Sequence, residues 1–268
     1  MKRILTAIVA LPILLYTVWS EIPYFFVALV AIAVLLALSE FYNLASKVGC
    51  RPQIIPGCAA ALLVLACFVF DETVWVVAVI TALAIVSLTV ALSRPGEMNR
   101  SLVSVSATLF GVVYVALLAS SLAGVRMIQS PTPRLASKLL TMFFAMVMMT
   151  DTGAYYTGRS IGRHKLAPRV SPGKTIEGSV GGLIAAIITG PLCRYIFFPE
   201  IHVVHAMALG AVIGVLGQVG DLAESMLKRG SGVKDSGNLL PGHGGMLDRV
   251  DSILFCAPLL YYYSRLFL

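Results

Sequence analysis

Apolar segments, each close to the length of one bilayer crossing, follow one another along almost the whole chain, and this succession limits the fold more than any other feature. A helix needs about 20 mostly apolar residues to cross the hydrocarbon core. Segments of that kind cover 4–20, 22–45, 54–70, 74–92, 102–122, 135–157, 176–197, 204–227 and 252–268, separated by short breaks of charge, proline or glycine. Lipid offers the backbone no hydrogen-bond partner, so such segments must be helical. The expected fold class is all-α: a polytopic integral membrane helical bundle of about nine transmembrane helices. It reads as a single membrane domain over 1–268, with five plain spans in 1–135 and four in 136–268 that carry two cytoplasmic loops. Composition agrees, with 58% apolar and 12% charged residues, where a soluble domain has about 25% charged. The start, "MKRILTAIVALPILLYTVWSEIP", has the basic end and apolar core of a signal peptide but no small-x-small cleavage site after it. It is read as the first span, retained.

The formal net charge is +7. In a bilayer protein this reads as topology charge, so no nucleic-acid partner is expected. Nine crossings put the termini on opposite sides. One side then collects fifteen of the 20 Lys and Arg residues; the other holds Arg126, Arg134, Lys138, Arg194 and Arg265. The basic side is the cytoplasmic one, which predicts a cytoplasmic N-terminus. The five cysteines are scattered without CxxC or Cys/His spacing, which suggests neither zinc nor a disulfide framework.

Two acids lie inside the second and sixth apolar segments. Glu40 in "ALSEFYNL" and Asp151 in "TDTGAYYTG" are costly inside a bilayer unless partnered, and such residues are functional candidates by default. From Thr150 onward glycine and charge gather in two segments. The first, 150–182, carries Arg159, Arg163, His164, Lys165, Arg169 and Lys174, a pattern that suits anionic headgroups. Its "SPGKTIEG" puts Ser171 and Lys174 just before a helix, where free N–H groups attract phosphate. It is not a P-loop: the position that needs the first glycine is Pro168, and no strand of a soluble sheet precedes it. His164 has no partner histidine nearby and is not expected to bind metal.

The second segment, 220–252, reads "GDLAESMLKRGSGVKDSGNLLPGHGGMLDRVDS". Asp221 and Glu224 stand three apart near the end of the eighth span, and Asp248 and Asp251 three apart at the start of the ninth, so each pair shares a helix face. One reading has these acids neutralised by Lys228, Arg229, Lys234 and Arg249. The other is a Mg²⁺ and phosphate site, because few carboxylates with open positions for phosphate oxygens suit Mg²⁺, and phosphoryl transfer needs its developing charge neutralised. Residue types alone leave both open. Glycines 210, 214, 217 and 220 allow close helix packing, within the bundle or in a dimer.

The order of residues goes further. "SMLKRGSGVKDSGNLLPGHGGMLDRVD" (225–251) resembles the signature of the CDP-diacylglycerol synthases, or phosphatidate cytidylyltransferases. Ser225, Lys228, Arg229, Lys234, Asp235, His243, Gly244, Gly245, Asp248, Arg249 and Asp251 all match it. "DTGAYYTGRSIGRHKLAPRVSPGKTIEGSVGG", "KRILTAIVALP" and "SEFYNL" resemble other shared stretches, so the resemblance spans the chain. It implies an enzyme that joins CTP and phosphatidic acid into CDP-diacylglycerol and pyrophosphate, in membrane lipid, with Mg²⁺ and with room for K⁺ as a second cation. It also implies an inner-membrane protein of nine helices and a homodimer. By the same resemblance Asp221 and Asp248 hold the metal, and Asp251, Lys228 and Arg229 join them in catalysis. Arg169, Ser171, Lys174, Lys234, Asp235, His243 and Arg249 are candidates for binding substrate. The rival class is a secondary transporter, which also places acids and glycines in a polytopic chain. Acids at one cytoplasmic rim, with no internal repeat, speak against it.

Overall fold

The computed structural model describes residues 2–93, 98–237 and 244–268, with side chains from Ala10 onward. Its helices are α1 (Lys2–Trp19), α2 (Tyr24–Lys47), α3 (Ile54–Val69), α4 (Trp75–Leu92), α5 (Met98–Gly111), α6 (Leu118–Arg126), α7 (Leu135–Ile161), α8 (Ile176–Ile196), α9 (Val203–Gly230) and α10 (Leu247–Phe267). A π-helical segment, Val112–Leu117, joins α5 to α6, so the two run on as one rod. The described residues thus form nine helical stretches. Six are long and apolar enough to cross a membrane: α2, α4, the Met98–Arg126 rod, α7, α8 and α9. The all-α polytopic membrane fold follows. The described part of α1 from Ala10 and α3 are shorter apolar helices. α10 carries Asp248, Arg249, Asp251 and Arg265, which lower its hydropathy.

Two details differ from the sequence reading. The last helix begins at Leu247, five residues before the apolar segment starts. Its first turn holds Asp248, where a negative charge suits the positive end of the helix dipole. The basic stretch before α8 also folds, into an antiparallel hairpin of β1 (Lys165–Ala167) and β2 (Ser171–Thr175). A polar segment of that length left no apolar alternation to announce it.

The chain divides into two compact units, Met1–Met127 with Leu227–Val250, and Ile128–Met226 with Asp251–Leu268. In the first, Tyr42 of α2 is buried and its hydroxyl donates to the Thr108 carbonyl at 3.0 Å. A Cβ on Gly111 would stand 2.6 Å from the Tyr42 ring, so α2 and the rod approach closely at a glycine. Thr108 Oγ1 accepts the Gln53 N–H at the start of α3 at 2.9 Å, and the Gln53 amide donates to the Ser87 carbonyl of α4 at 2.8 Å. The Tyr42 hydroxyl and both N–H donors of Gln53, backbone and side chain, are thereby partnered, as an apolar surrounding demands.

In the second unit α7 packs closely along α8. A Cβ on Gly182 would meet the Thr150 carbonyl at 2.7 Å. The glycines of α9 serve helix packing inside this unit. Gly210 and Gly214 face Leu183, Ala186 and Ile187 of α8, and a Cβ on Gly220 would lie 2.6 Å from the Asp251 carbonyl of α10.

Candidate active site

The first unit contains Lys228, the polar neck around Ser236 and Gly245, and Asp248. Asp248 sits in the first turn of α10 with its side chain 6% exposed. Its Oδ1 receives the Lys228 ammonium from α9 at 2.5 Å, and that lysine side chain is itself 11% exposed. Its Oδ2 accepts the N–H groups of Ser236 at 3.0 Å and Gly245 at 2.7 Å, and lies 3.0 Å from Ser236 Oγ. A carboxylate has about four acceptor positions, so Asp248 is close to saturated by protein donors.

Backbone geometry explains the glycines here. Gly244 has φ +78°, a left-handed conformation, and a Cβ there would come within 2.5 Å of Asp248 Oδ2. Glycine adopts that conformation without a steric penalty. Glu40 of α2 completes the arrangement. It is 6% exposed and accepts the Met246 N–H at 2.9 Å and the Leu247 N–H at 2.8 Å, while Ser236 Oγ lies 2.9 Å away. The costly acid of the second span is therefore fully engaged.

The second unit builds a different pair. Lys174, in the last strand of the hairpin, places its ammonium 2.7 Å from Asp221 Oδ2 on α9. Asp221 keeps 33% of its side chain exposed, and among the described residues its Oδ1 receives a long contact, 3.4 Å, from Ser225 Oγ. The hairpin is fixed to α8 by several bonds. Thr175 Oγ1 accepts the Gly178 N–H at 3.1 Å, Ile176 N donates to the His164 carbonyl at 2.9 Å, and Glu177 accepts the N–H groups of Arg163 and His164. Glu177 also takes His164 Nδ1 at 2.6 Å. Two N–H groups of the first α8 turn, expected to be free for phosphate, are thus taken, Ile176 by the His164 carbonyl and Gly178 by the Thr175 cap. Lys174 adds its charge beside them.

The other expected residues distribute as follows. Arg169, Arg229, Lys234, Asp235 and Arg249 are exposed, and Ser171 is half-buried. Arg229 donates to the Val233 carbonyl at 3.2 Å, closing the end of α9. Asp251 accepts the Ser252 N–H at 2.6 Å, and Asp151 is exposed. His243 lies outside the described residues. The local ion-pair reading holds for one aspartate and not for the other. Lys228 does neutralise Asp248, but Asp221 draws its lysine from the distant hairpin and not from its own segment.

Among the described residues no group of three or more His, Cys, Asp and Glu stands ready to enclose a cation. The oxygen-only donor set nonetheless suits Mg²⁺, which commonly takes one or two carboxylates and completes its shell with water and substrate phosphate. Asp221 has an oxygen to offer as it stands. Asp248 has one once Lys228 leaves Oδ1.

Sequence comparison gives these residues their context. A phosphatidate cytidylyltransferase of Bacillus subtilis (strain 168) is 46% identical over 131 residues, 48% of this chain and 49% of that protein. One of Staphylococcus saprophyticus is 52% identical over 118 residues, 44% and 45% of the two chains. The uncharacterized protein YnbB of Escherichia coli (strain K12) is 39% identical over 174 residues, 63% and 57%. The matches thus span about half the length of these curated relatives. The model of the cytidylyltransferase family, in contrast, matches residues 1–267, and with that extent of agreement the chain belongs to the cytidylyltransferase family.

Proposed function

We propose that this chain is a CDP-diacylglycerol synthase, which transfers the cytidylyl group of CTP to phosphatidic acid in phospholipid biosynthesis. The observation that carries the reading is the pair of lysine-held aspartates, Lys228–Asp248 and Lys174–Asp221. Each pairs an ammonium able to take a phosphate oxygen with a carboxylate able to take a cation. Membership of the cytidylyltransferase family and the similarity to the Bacillus and Staphylococcus phosphatidate cytidylyltransferases support the same substrates.

In this reaction a phosphate oxygen of phosphatidic acid attacks the α-phosphorus of CTP. The new O–P bond forms as the bond to the bridging oxygen breaks, and pyrophosphate leaves. A phosphate monoester dianion needs no strong base, so positioning and charge neutralisation carry the rate. Lys228 and Lys174 would exchange their aspartates for phosphate oxygens, and exposed Arg169, Arg229, Lys234 and Arg249 would draw the polyanion in. Asp221 and Asp248 would hold Mg²⁺, with Asp251 supporting; the ion supplies charge neutralisation on the triphosphate. Ser171, Asp235 and His243 are further substrate contacts in this reading, and K⁺ is the candidate second cation.

The excess of basic residues on one side supports an inner-membrane orientation with a cytoplasmic N-terminus and a site facing the cytoplasm. A homodimer is part of the proposal and is read by the mass of the detergent-purified particle. Purified protein with phosphatidic acid, Mg²⁺ and CTP labelled at the α-phosphate should yield a labelled lipid and pyrophosphate, and chelation with EDTA should stop both. Absence of a labelled lipid across lipid and metal conditions overturns the reading.

A further inference from the structure

Glu40 is a buried acid that the proposed reaction does not use. It lies near the C-terminal end of α2, more than 190 residues before anything it touches in the neck. Its two oxygens take different partners. Oε1 accepts the Met246 N–H, and Oε2 accepts the Leu247 N–H and contacts Ser236 Oγ. Met246 and Leu247 lie where α10 begins, and the first N–H groups of a helix have no partner within it. Glu40 therefore caps α10 from another helix.

Its partners are also those of Asp248. Ser236 Oγ stands between the two carboxylates, at 2.9 Å from Glu40 Oε2 and 3.0 Å from Asp248 Oδ2. A hydroxyl carries one proton, so Ser236 can donate to only one of the two at a time. Gly245 gives its N–H to Asp248, and a Cβ on it would collide with Glu40 Oε2 and Ser236 Oγ. A Cβ on Gly237 would lie 2.6 Å from Glu40 Oε1. The backbone on both sides of the neck is thus wrapped directly on this carboxylate. Asp248 follows Leu247 in the chain, so anchoring the 246 and 247 amides fixes where the Asp248 carboxylate starts.

We propose that Glu40 is a positioning residue for Asp248: it holds Ser236, Met246 and Leu247 so that Asp248 keeps one geometry while Lys228 leaves its Oδ1 for substrate phosphate. The proposal rests on the functional reading above. Groups that orient a metal-binding carboxylate change affinity or rate by roughly 10–100-fold when altered, and that is the effect expected of Glu40.

Glu40→Gln tests it with little change of volume, and Glu40→Ala tests the full loss. In Glu40→Gln an amide nitrogen replaces one acceptor, so one of the two α10 N–H groups loses its partner. The expected result is a kcat lower by roughly 10–100-fold and a Mg²⁺ requirement higher by a similar factor, with KM for phosphatidic acid unchanged. Glu40→Ala should be worse than Glu40→Gln. Two readouts stand apart from activity. Hydrogen exchange in the 244–250 peptide should quicken while α7 and α8 keep their protection, and Mn²⁺, read by its paramagnetic resonance, should bind more weakly.

Wild-type kcat and Mg²⁺ dependence in Glu40→Gln overturn the proposal. So does a rate loss with unchanged exchange at 244–250, which would place the effect elsewhere. Exchange rising throughout the first unit in both variants overturns it too, since the role would then be general support of the fold. If the wild-type protein makes no CTP-derived lipid, the functional reading falls, and the exchange experiment still decides whether Glu40 holds the neck.

Discussion

Asp248 and Asp221 are both aspartates that face a lysine, and the two compact units treat them differently. In the first unit Asp248 is nearly buried, takes an ammonium on one oxygen and two backbone N–H groups on the other, and has glycine backbone folded against it. In the second unit Asp221 is a third exposed, takes one ammonium, and has a long hydroxyl contact besides. The same residue pair thus serves two purposes. Around Asp248 the carboxylate organises the backbone, and the lysine offsets the cost of burying it. Around Asp221 the carboxylate organises little, and its remaining oxygen is available to a ligand. A buried pair broken from one side leaves an uncompensated charge, whereas a part-exposed pair is relieved by water.

Asp248→Asn should therefore have the largest effect, and on two quantities together. Activity should fall by at least about 100-fold, the scale of losing one electrostatic contact in a transition state. Stability should fall by roughly 3–5 kcal/mol, because the Lys228 ammonium is left beside a neutral amide. Thermal unfolding in detergent and the labelled-CTP assay read the two. Retained stability with lost activity would mean that Asp248 is not the organiser its contacts suggest.

Asp221→Asn comes next and sharpens the contrast. It should lower activity by a similar factor, about 100-fold, while changing stability by less than about 1 kcal/mol. The two variants should separate on a plot of rate against unfolding temperature. If Asp221→Asn destabilises the protein as much as Asp248→Asn, the difference between the two sites is one of exposure alone and not of purpose.

How much of this was legible in the sequence follows from the range of the interactions. The helices were: apolar length fixes a span locally, and α2 and α9 fall within a few residues of the expected segments 22–45 and 204–227. The three-residue spacing of Asp248 and Asp251 on α10, and of Asp221 and Glu224 on α9, is local as well, although Glu224 is buried where Asp221 is a third exposed. The partners were not. Lys174 reaches Asp221 across α8, and Glu40 meets Leu247 at a separation of 207 residues. No periodicity records such contacts, so Glu40 showed only as an acid in an apolar segment. The hairpin of β1 and β2 escaped for the opposite reason: it is too short and polar to alternate, and its hold on α8 comes from Thr175 and Glu177. The family signature located the site by residue order, but order did not say that Asp221 would draw on the hairpin for its lysine.

A third lysine–carboxylate pair extends the comparison to its weak end. Lys138 of α7 places its ammonium 2.5 Å from Glu200, in the turn between α8 and α9, and Glu200 keeps 38% of its side chain exposed. The bond from Lys138 holds the Glu200 carboxyl below the usual carboxylate range, helped by a backbone bond of its own. A carboxylate whose pKa is depressed on folding stabilises the fold above its unfolded value, near about 4.3. That contribution fades as pH falls through the lower, folded value. Water screens an exposed pair, so its size should be a few tenths of a kcal/mol and under about 1. Glu200→Gln should leave activity unchanged at neutral pH. It should lower the unfolding temperature slightly above about pH 5 and converge with the wild type in stronger acid. A loss as large as that of Asp248→Asn would show that exposure does not grade these three pairs, and the division between organising and available carboxylates would have to rest on backbone contacts alone.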